Sequence, residues 1–379
     1  MNSLLTEIKK VADQIRGVTY GADDAIDKPQ NGYIGLLRAN NIQNNCLNFD
    51  DLLYVPSHKV SSLQILKRGD ILIAASSGSL SIVGKAGVFK SDEKYTFGAF
   101  CKAIRPRTNI DASYLSHYFF TTEYRTIISS LAAGANINNL RNEHIDNLSI
   151  PLPPLAEQQR IAALLDTADR ILKQRQLAIA KLEQLAQSVF VDMFGNISNN
   201  NKKWPIHEFS KLADNEDYKR KPIKSSDRDN RGGAYPYYGA SGIIDTIDEY
   251  IFEGDSLLIG EDGANLVARS SPIAFIARGK YWVNNHAHIL RQNRNANIRY
   301  LEYFLLQIDL KPYVTGSAQP KLTRGNLDRI LVPTPPIKLQ NHFEKIIIEL
   351  EAEKDVMNSN QRVALKLVSS IQHQSFAVN

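Results

Sequence analysis

The chain repeats itself once, and that repeat constrains its architecture more than any single motif. Residues 134–195 lie over residues 316–377 at an offset of 182 positions with no gap. Leu140 falls on Leu322, Ile150 on Val332, and Pro151, Pro153 and Pro154 on Pro333, Pro335 and Pro336. Gln158 falls on Gln340, Ile161 on Phe343, and Phe194 on Phe376. Upstream the register drifts by a few residues. GDILIAASSGS (69–79) still resembles GDSLLIGEDGA (254–264), and RTNIDASYLSHYFF (107–120) resembles NRNANIRYLEYFLL (293–306). A repeat of this period means one architectural unit built twice.

Each copy ends on a proline-stiffened strand that turns directly into an apolar-periodic run. Proline just before a helix is tolerated because its missing N–H costs nothing there. In the first run Ile161, Leu165, Ala168, Leu172, Ile179, Leu182, Ala186 and Val189 keep a 3-4 spacing that Arg175 interrupts. The second run gives Phe343, Ile347, Leu350, Met357, Ala364, Val368 and Ile371, with Lys354 and Gln361 at the polar breaks. Sustained over several heptads, this is a coiled-coil seam. A second stripe, Leu164, Ile171, Ala178 and Leu185, widens the apolar face and points to more than one partner surface. Helices of about 35–40 residues would be rods of roughly 50–60 Å.

The expected fold is therefore mixed α/β: two pseudo-twofold-related globular domains joined by two long helices that form an antiparallel coiled coil. The globular domains fall at 1–149 and 196–331, the helices at 150–195 and 332–379. Each globular half mixes short strands such as DILIAAS and SLLIG with a helix near 114–130 or 300–307. Gly- and Asn-punctuated stretches such as GGAYPYYGASG read as turn-rich surface.

Composition narrows the function classes. The 379 residues carry a net charge of +5, which permits a nucleic-acid partner. The start of the chain has no apolar signal region, and no run approaches the length of a membrane span. The two cysteines, Cys46 and Cys101, suit a reducing compartment. A cytoplasmic protein with no membrane partner is expected. No Walker A, dinucleotide-binding, nucleophile-elbow or zinc-protease motif occurs. Asp70 with Asp92, Glu93 and Lys94 loosely mimics a metal-dependent nuclease, but solvated turn charges are the preferred reading. His286 and His288 place two imidazoles on one strand face, read as a hydrogen-bonded or core pair, not as a metal site. No cofactor is expected.

What remains is polar loop surface. In the second half Lys219, Arg220, Lys221, Lys224, Arg231, Tyr237, Tyr238 and Ser241 form a basic, aromatic stretch, with Asn265 beyond it. The first half offers Arg38, Asn40 and Asn41, then Ser77, Ser79 and Lys85. A further polar loop precedes each proline joint, giving Asn136, Asn138, Asn139 and Arg141 in one copy and Gln319, Lys321 and Arg324 in the other. Arg and Lys hold phosphates, while Asn, Gln, Arg and Ser can read base edges. Two copies of such loops on a two-armed frame favour double-stranded DNA. The alternative is a duplicated coiled-coil scaffold without DNA specificity.

IPLPPLAEQQRIAALLDTAD (150–169), AQSVFVDMFGN (186–196), YPYYGASGII (235–244) and YWVNNHAHIL (281–290) resemble the specificity subunits of type I restriction–modification enzymes. The second joint, PTPPIKLQNHF (333–343), departs by placing Leu339 where the first has Glu157. The resemblance implies a non-catalytic subunit whose globular halves are target-recognition domains, each reading one half of a split duplex target. It implies conserved spacer helices that set the distance between the half-sites and dock two modification (methyltransferase) subunits, with restriction subunits joining in the full complex. Adding one heptad to both helices is then expected to lengthen the unread spacer by about three base pairs. That follows from about 10.5 Å of added rod at ~3.4 Å per base-pair step, and methylome sequencing of the variant checks it.

Overall fold

The computed structural model describes residues 4–132, 138–316 and 319–377. It divides into two compact units, residues 1–176 with 359–379 and residues 177–358. The division falls inside both long helices, the central helix Leu155–Phe194 and the distal helix Ile337–Phe376, each of 40 residues.

In the first unit the main sheet has six strands, in the order Ala12–Arg16, Cys101–Pro106, Ile71–Ala74, Ala86–Val88, Cys46–Leu47 and Ile42–Gln43. Ile71–Ala74 is buried on both faces and reads as an unbroken apolar run, as a strand covered on two sides must. A second, three-stranded sheet places Tyr33–Leu37 between Tyr95–Phe97 and Leu53–Pro56. Helices Ala112–Tyr118 and Thr122–Ala132 pack on the main sheet through Tyr114, Leu115, Tyr124 and Ile128. The chain's first strand, Leu5–Glu7, pairs with Ser149–Pro151 immediately before the central helix.

The second unit has the same plan in shorter form. Its main sheet orders Ala213–Asn215, Ala287–Gln292, Ser256–Gly260 and Ala274–Ala277. Helix Ile298–Gln307 lies on it through Tyr300, Leu301, Phe304 and Leu305. Strand Ile206–Glu208 pairs with Leu331–Pro333 before the distal helix. The YPYY stretch departs from its turn-rich reading. Tyr235–Gly239 is the centre of a four-stranded second sheet, with Tyr237 and Tyr238 buried. Flanking glycines suggested a loop, but alternating aromatics fit a pleated, half-buried surface.

Within each unit the two long helices run antiparallel. In the first, Ile161 and Leu165 of the central helix share a core with Val368, Ile371 and Phe376 of the distal one. In the second, Ala186, Phe190 and Phe194 meet Phe343, Ile347 and Leu350. The polar breaks are spanning contacts. The Arg175 guanidinium donates to the Asn360 carbonyl at 3.0 Å, and the Lys354 ammonium meets the Glu183 carboxylate at 2.6 Å. Among the described residues no helix is long and apolar enough to cross a membrane.

Each helix is pinned to its globular body by a buried glutamine. Gln158, 1% exposed, accepts from the Asp111 N–H at 2.8 Å and donates to the Pro153 carbonyl at 2.8 Å. Gln340 accepts from the Asn297 N–H at 2.9 Å and donates to the Pro335 carbonyl at 2.7 Å. Asp111 and Asn297 are themselves the N-caps of the packed helices. A tyrosine completes each joint: Tyr114 donates to the Pro151 carbonyl and Tyr300 to the Pro333 carbonyl. Replacing either glutamine by leucine leaves a buried donor and a buried acceptor unpaired, at about 1–3 kcal/mol for each group. We expect Gln340→Leu to lower stability by about 2–4 kcal/mol in urea denaturation. The exposed neighbour change Gln159→Leu should shift it by about 0.5 kcal/mol or less.

Candidate nucleic-acid interface

At one end of each main sheet three loops are stitched together, and the stitching is the same in both units. In the first unit Ile71–Ala74 and Cys101–Pro106 pair antiparallel, Ala74 opposite Cys101. Just beyond, the Ala75 N–H donates to the Phe100 carbonyl and the Leu140 N–H to the Ala75 carbonyl, each at 2.8 Å. Ser76–Ser77 then pairs with Asn138–Asn139. In the second unit Gly260 lies opposite Ala287. The Glu261 N–H donates to the His286 carbonyl and the Leu322 N–H to the Glu261 carbonyl, again at 2.8 Å. Asp262 bridges to Lys321. One side chain braces each joint from below: Lys102 donates to the Leu140 carbonyl at 2.8 Å, and His288 Nε2 bonds the Leu322 carbonyl at 2.8 Å.

These bonds set the register of the repeat. Ala75 corresponds to Glu261, Ser76 to Asp262, Phe100 to His286, Lys102 to His288, and Asn139 to Lys321. The ladder also places Ser256, not Asp255, at the position of Asp70. Asp70 is buried on Arg105 at 2.6 Å, and Asp92 is held by Arg68 at 2.8 Å, so neither is spare for a metal. Among the described residues no group of three or more His, Cys, Asp or Glu could hold a metal ion.

The polar residues singled out in the sequence fall into three groups. Ser77, Asn139 and Arg141 gather at the first joint, with Asn139 and Arg141 exposed. Asn138 pairs there through its backbone, Ser79 bonds Ser81 nearby, and Asn136 lies outside the described residues. Lys321 and exposed Gln319 belong to the second joint, with Arg324 starting the short helix Arg324–Asp328 beside it. A second group is exposed elsewhere: Lys85, Lys221, Lys224 and Ser241. A third group builds loops. Asn41 is buried, accepting from the Arg38 N–H and donating to the Asn48 and Asp50 carbonyls, while Arg38 and Asn40 both hold Asp51. Asn265 closes a turn onto Ser270 and Ser271. Lys219 pairs with Glu216, and Arg231 pairs with Asp248 and Glu249. Buried Tyr237 accepts from the Ile223 N–H. Tyr238 packs against Phe275 and Tyr281. Asn41 and Tyr237 thus correct the sequence reading: both are consumed by their own frame and present no surface.

The family model for the type I restriction modification DNA specificity domain matches residues 5–184 and 201–366. The chain belongs to this family. It is 44% identical over 180 residues to the type I restriction enzyme StySPI specificity subunit of Salmonella potsdam, covering 48% of this chain and 38% of that one. It is 42% identical over 184 residues to the EcoKI specificity subunit of Escherichia coli (strain K12), covering 48% and 39%. The matched stretch is therefore well under half the length of these two curated relatives. The MjaIX specificity subunit of Methanocaldococcus jannaschii matches over 345 residues at 21% identity, covering 82% and 77%. In fold the chain is similar to the crystal structure of the type I restriction–modification S subunit from M. genitalium, with a TM-score of 0.64 at 16% identity over 100% of this chain and 97% of that one.

In this specificity-domain frame the second joint carries a charge network that sequence reasoning missed. Arg220, only 15% exposed, donates to Glu261 at 2.6 Å and to the Ala287 carbonyl at 2.9 Å. Lys321 reaches Glu261 at 3.1 Å, and His288 Nδ1 bonds Asp217 at 2.6 Å. Burial works to raise the Glu261 carboxyl, but the Arg220 hydrogen bond, His288 and Lys321 together hold it below the usual carboxylate range. Burial also opposes ionisation of Asp217, but the hydrogen bond and charge of His288 together with hydrogen bonds from Ile289 and Asn215 hold its carboxyl below the usual carboxylate range. The signal in the sequence was the acid pair Glu261–Asp262, which falls where the first copy has Ala75 and Ser76. Arg220 therefore braces this joint. Arg220→Ala should cost about 3 kcal/mol of stability by removing the more buried partner of Glu261 and leaving it only the half-exposed Lys321. Exposed Lys224→Ala should leave stability within about 0.5 kcal/mol. Chemical denaturation of the two variants separates them.

Proposed function

We propose that this chain is the DNA-specificity subunit of a type I restriction–modification enzyme, with each unit reading one half of a bipartite duplex target. The observation that carries this is the repeated three-loop joint. It presents exposed polar side chains on the same hydrogen-bonded frame in both units, as two half-site readers require. Exposed Asn139, Arg141, Lys224, Gln319 and Lys321 supply phosphate and base contacts, and phosphate contacts position while base contacts specify. The reading heads are residues 1–149 and 196–331; residues 150–195 and 332–379 are spacer helices that set the distance between half-sites.

The chain performs no chemistry itself in this reading. Two modification subunits supply methylation, one docked on each unit, and restriction subunits complete the assembly in the cytoplasm. The helices leave apolar side chains uncovered for that docking. Leu164, Ile171, Val363 and Leu367 are exposed in the first unit, and Leu177, Leu185, Ile348 and Val356 in the second. Apolar side chains exposed along a helix whose opposite stripe is already packed mark a partner face.

The test is domain exchange in the complete system. Replacing residues 1–149 by the corresponding domain of another family member should change one half-site of the methylated target and leave the other and the spacer intact. Binding of the assembled complex to duplex DNA should weaken steeply with salt, because each neutralised phosphate releases counterions. Change in both half-sites would refute one unit per half-site. A flat salt response would favour a scaffold without DNA specificity.

A further inference from the structure

One position in the three-loop joint combines an identical backbone environment with opposite side-chain chemistry. Phe100 and His286 offer the same carbonyl, at 2.8 Å, to the Ala75 and Glu261 amides. Both precede the strand that pairs with the centre of the main sheet, Cys101–Pro106 or Ala287–Gln292. Phe100 is 70% exposed, the second most exposed large apolar side chain of the first unit's body after Leu4. No packing role explains it, since the neighbouring Cys101 and Ala103 fill the core and the Phe100 ring faces water. Its backbone neighbour across the joint is polar: the Ser76 N–H also donates to the Phe100 carbonyl, and Ser76 pairs with Asn139. His286 is half-exposed and bonded through Nδ1 to Asp262 at 2.8 Å, beside Lys321. Asp262 fixes the ring orientation and turns Nε2 away from itself.

We propose that this position is a further base-contacting position of each recognition unit, an inference that rests on the DNA-reading function above. Phe100 packs on a thymine methyl, the apolar group that a duplex presents in its major groove, and His286 hydrogen-bonds a base edge. An exposed aromatic on a loop paired to serine and asparagine suits that contact. A protein partner would require a continuous apolar patch.

The test uses the complete system with its own target, first read by methylome sequencing. Each thymine of the half-site assigned to the first unit is replaced in turn by uracil, which lacks only the methyl. Wild-type complex should lose about fourfold in affinity at one position, the equivalent of ~0.8 kcal/mol for one buried methyl. Phe100→Ala should bind thymine and uracil there equally, with unchanged melting temperature and unchanged salt slope. His286→Ala should broaden the half-site of the second unit and leave the first untouched. A first half-site without thymine, or equal uracil sensitivity in wild type and Phe100→Ala, overturns the assignment while leaving DNA reading in place. A wild-type complex that methylates without sequence preference overturns both.

Discussion

A buried carboxamide holds each long helix to its globular body. Gln158 and Gln340 each accept a helix-start N–H and donate to a proline carbonyl, with almost no exposure. Both groups they satisfy belong to chain termini of regular structure that have no partner within their own element. The side chain must therefore be donor and acceptor at once. An ionised glutamate could only accept, and burying its charge would add a further cost. This is why glutamine stands at both joints, whereas the next residue toward the N-terminus does not repeat. Glu157 lies at the surface on Arg160, and Leu339 takes its place in the second copy, partly buried against that unit's core.

The joint and helices were legible in the sequence because both depend on side-chain identity at fixed spacing. Prolines, glutamine and the apolar stripe repeat at an offset of 182, and the structure places them as expected. The sheet register was only partly legible. It runs at a different offset, and its strands are short apolar runs in which Ala, Ile and Leu align almost equally well in neighbouring registers. Only the ladder reveals that Asp70 corresponds to Ser256 and Ala75 to Glu261. The basic stretch was legible as charge but not as role. Arg220 and Lys224 look equivalent in a string, yet one is buried on Glu261 and the other is exposed. Phe100 and Asp262 gave no signal on their own, because an aromatic beside a strand reads as core and an acid beside a glycine reads as turn.

The polar breaks in the helix seams are specifying contacts. Arg175 spends its guanidinium on a backbone carbonyl of the opposite helix, and Lys354 meets Glu183. Neither contact is strong in half-exposed surroundings. Their value is register: a one-heptad slip would keep apolar residues facing one another but strand both cations. A polar residue in an apolar seam trades stability for a defined alignment, and the spacer role proposed for the helix pair depends on alignment more than on depth of packing.

The two joints also show how one frame can carry different side chains at matching positions. The bonds that run directly between the three loops in both units are backbone to backbone: Ala75 to Phe100, Leu140 to Ala75, and the matching bonds of Glu261, His286 and Leu322. Such bonds ask nothing of the side chains at those positions. Serine can become aspartate, phenylalanine can become histidine, and asparagine can become lysine while the loops stay in place. At the helix joints the side chains that carry the frame, Gln158 and Gln340 with Tyr114 and Tyr300, are identical in the two copies, whereas the braces beneath the loops differ, Lys102 in one and His288 with Arg220 in the other. For units that read DNA as proposed, loops held by backbone bonds permit a change of target without loss of the fold.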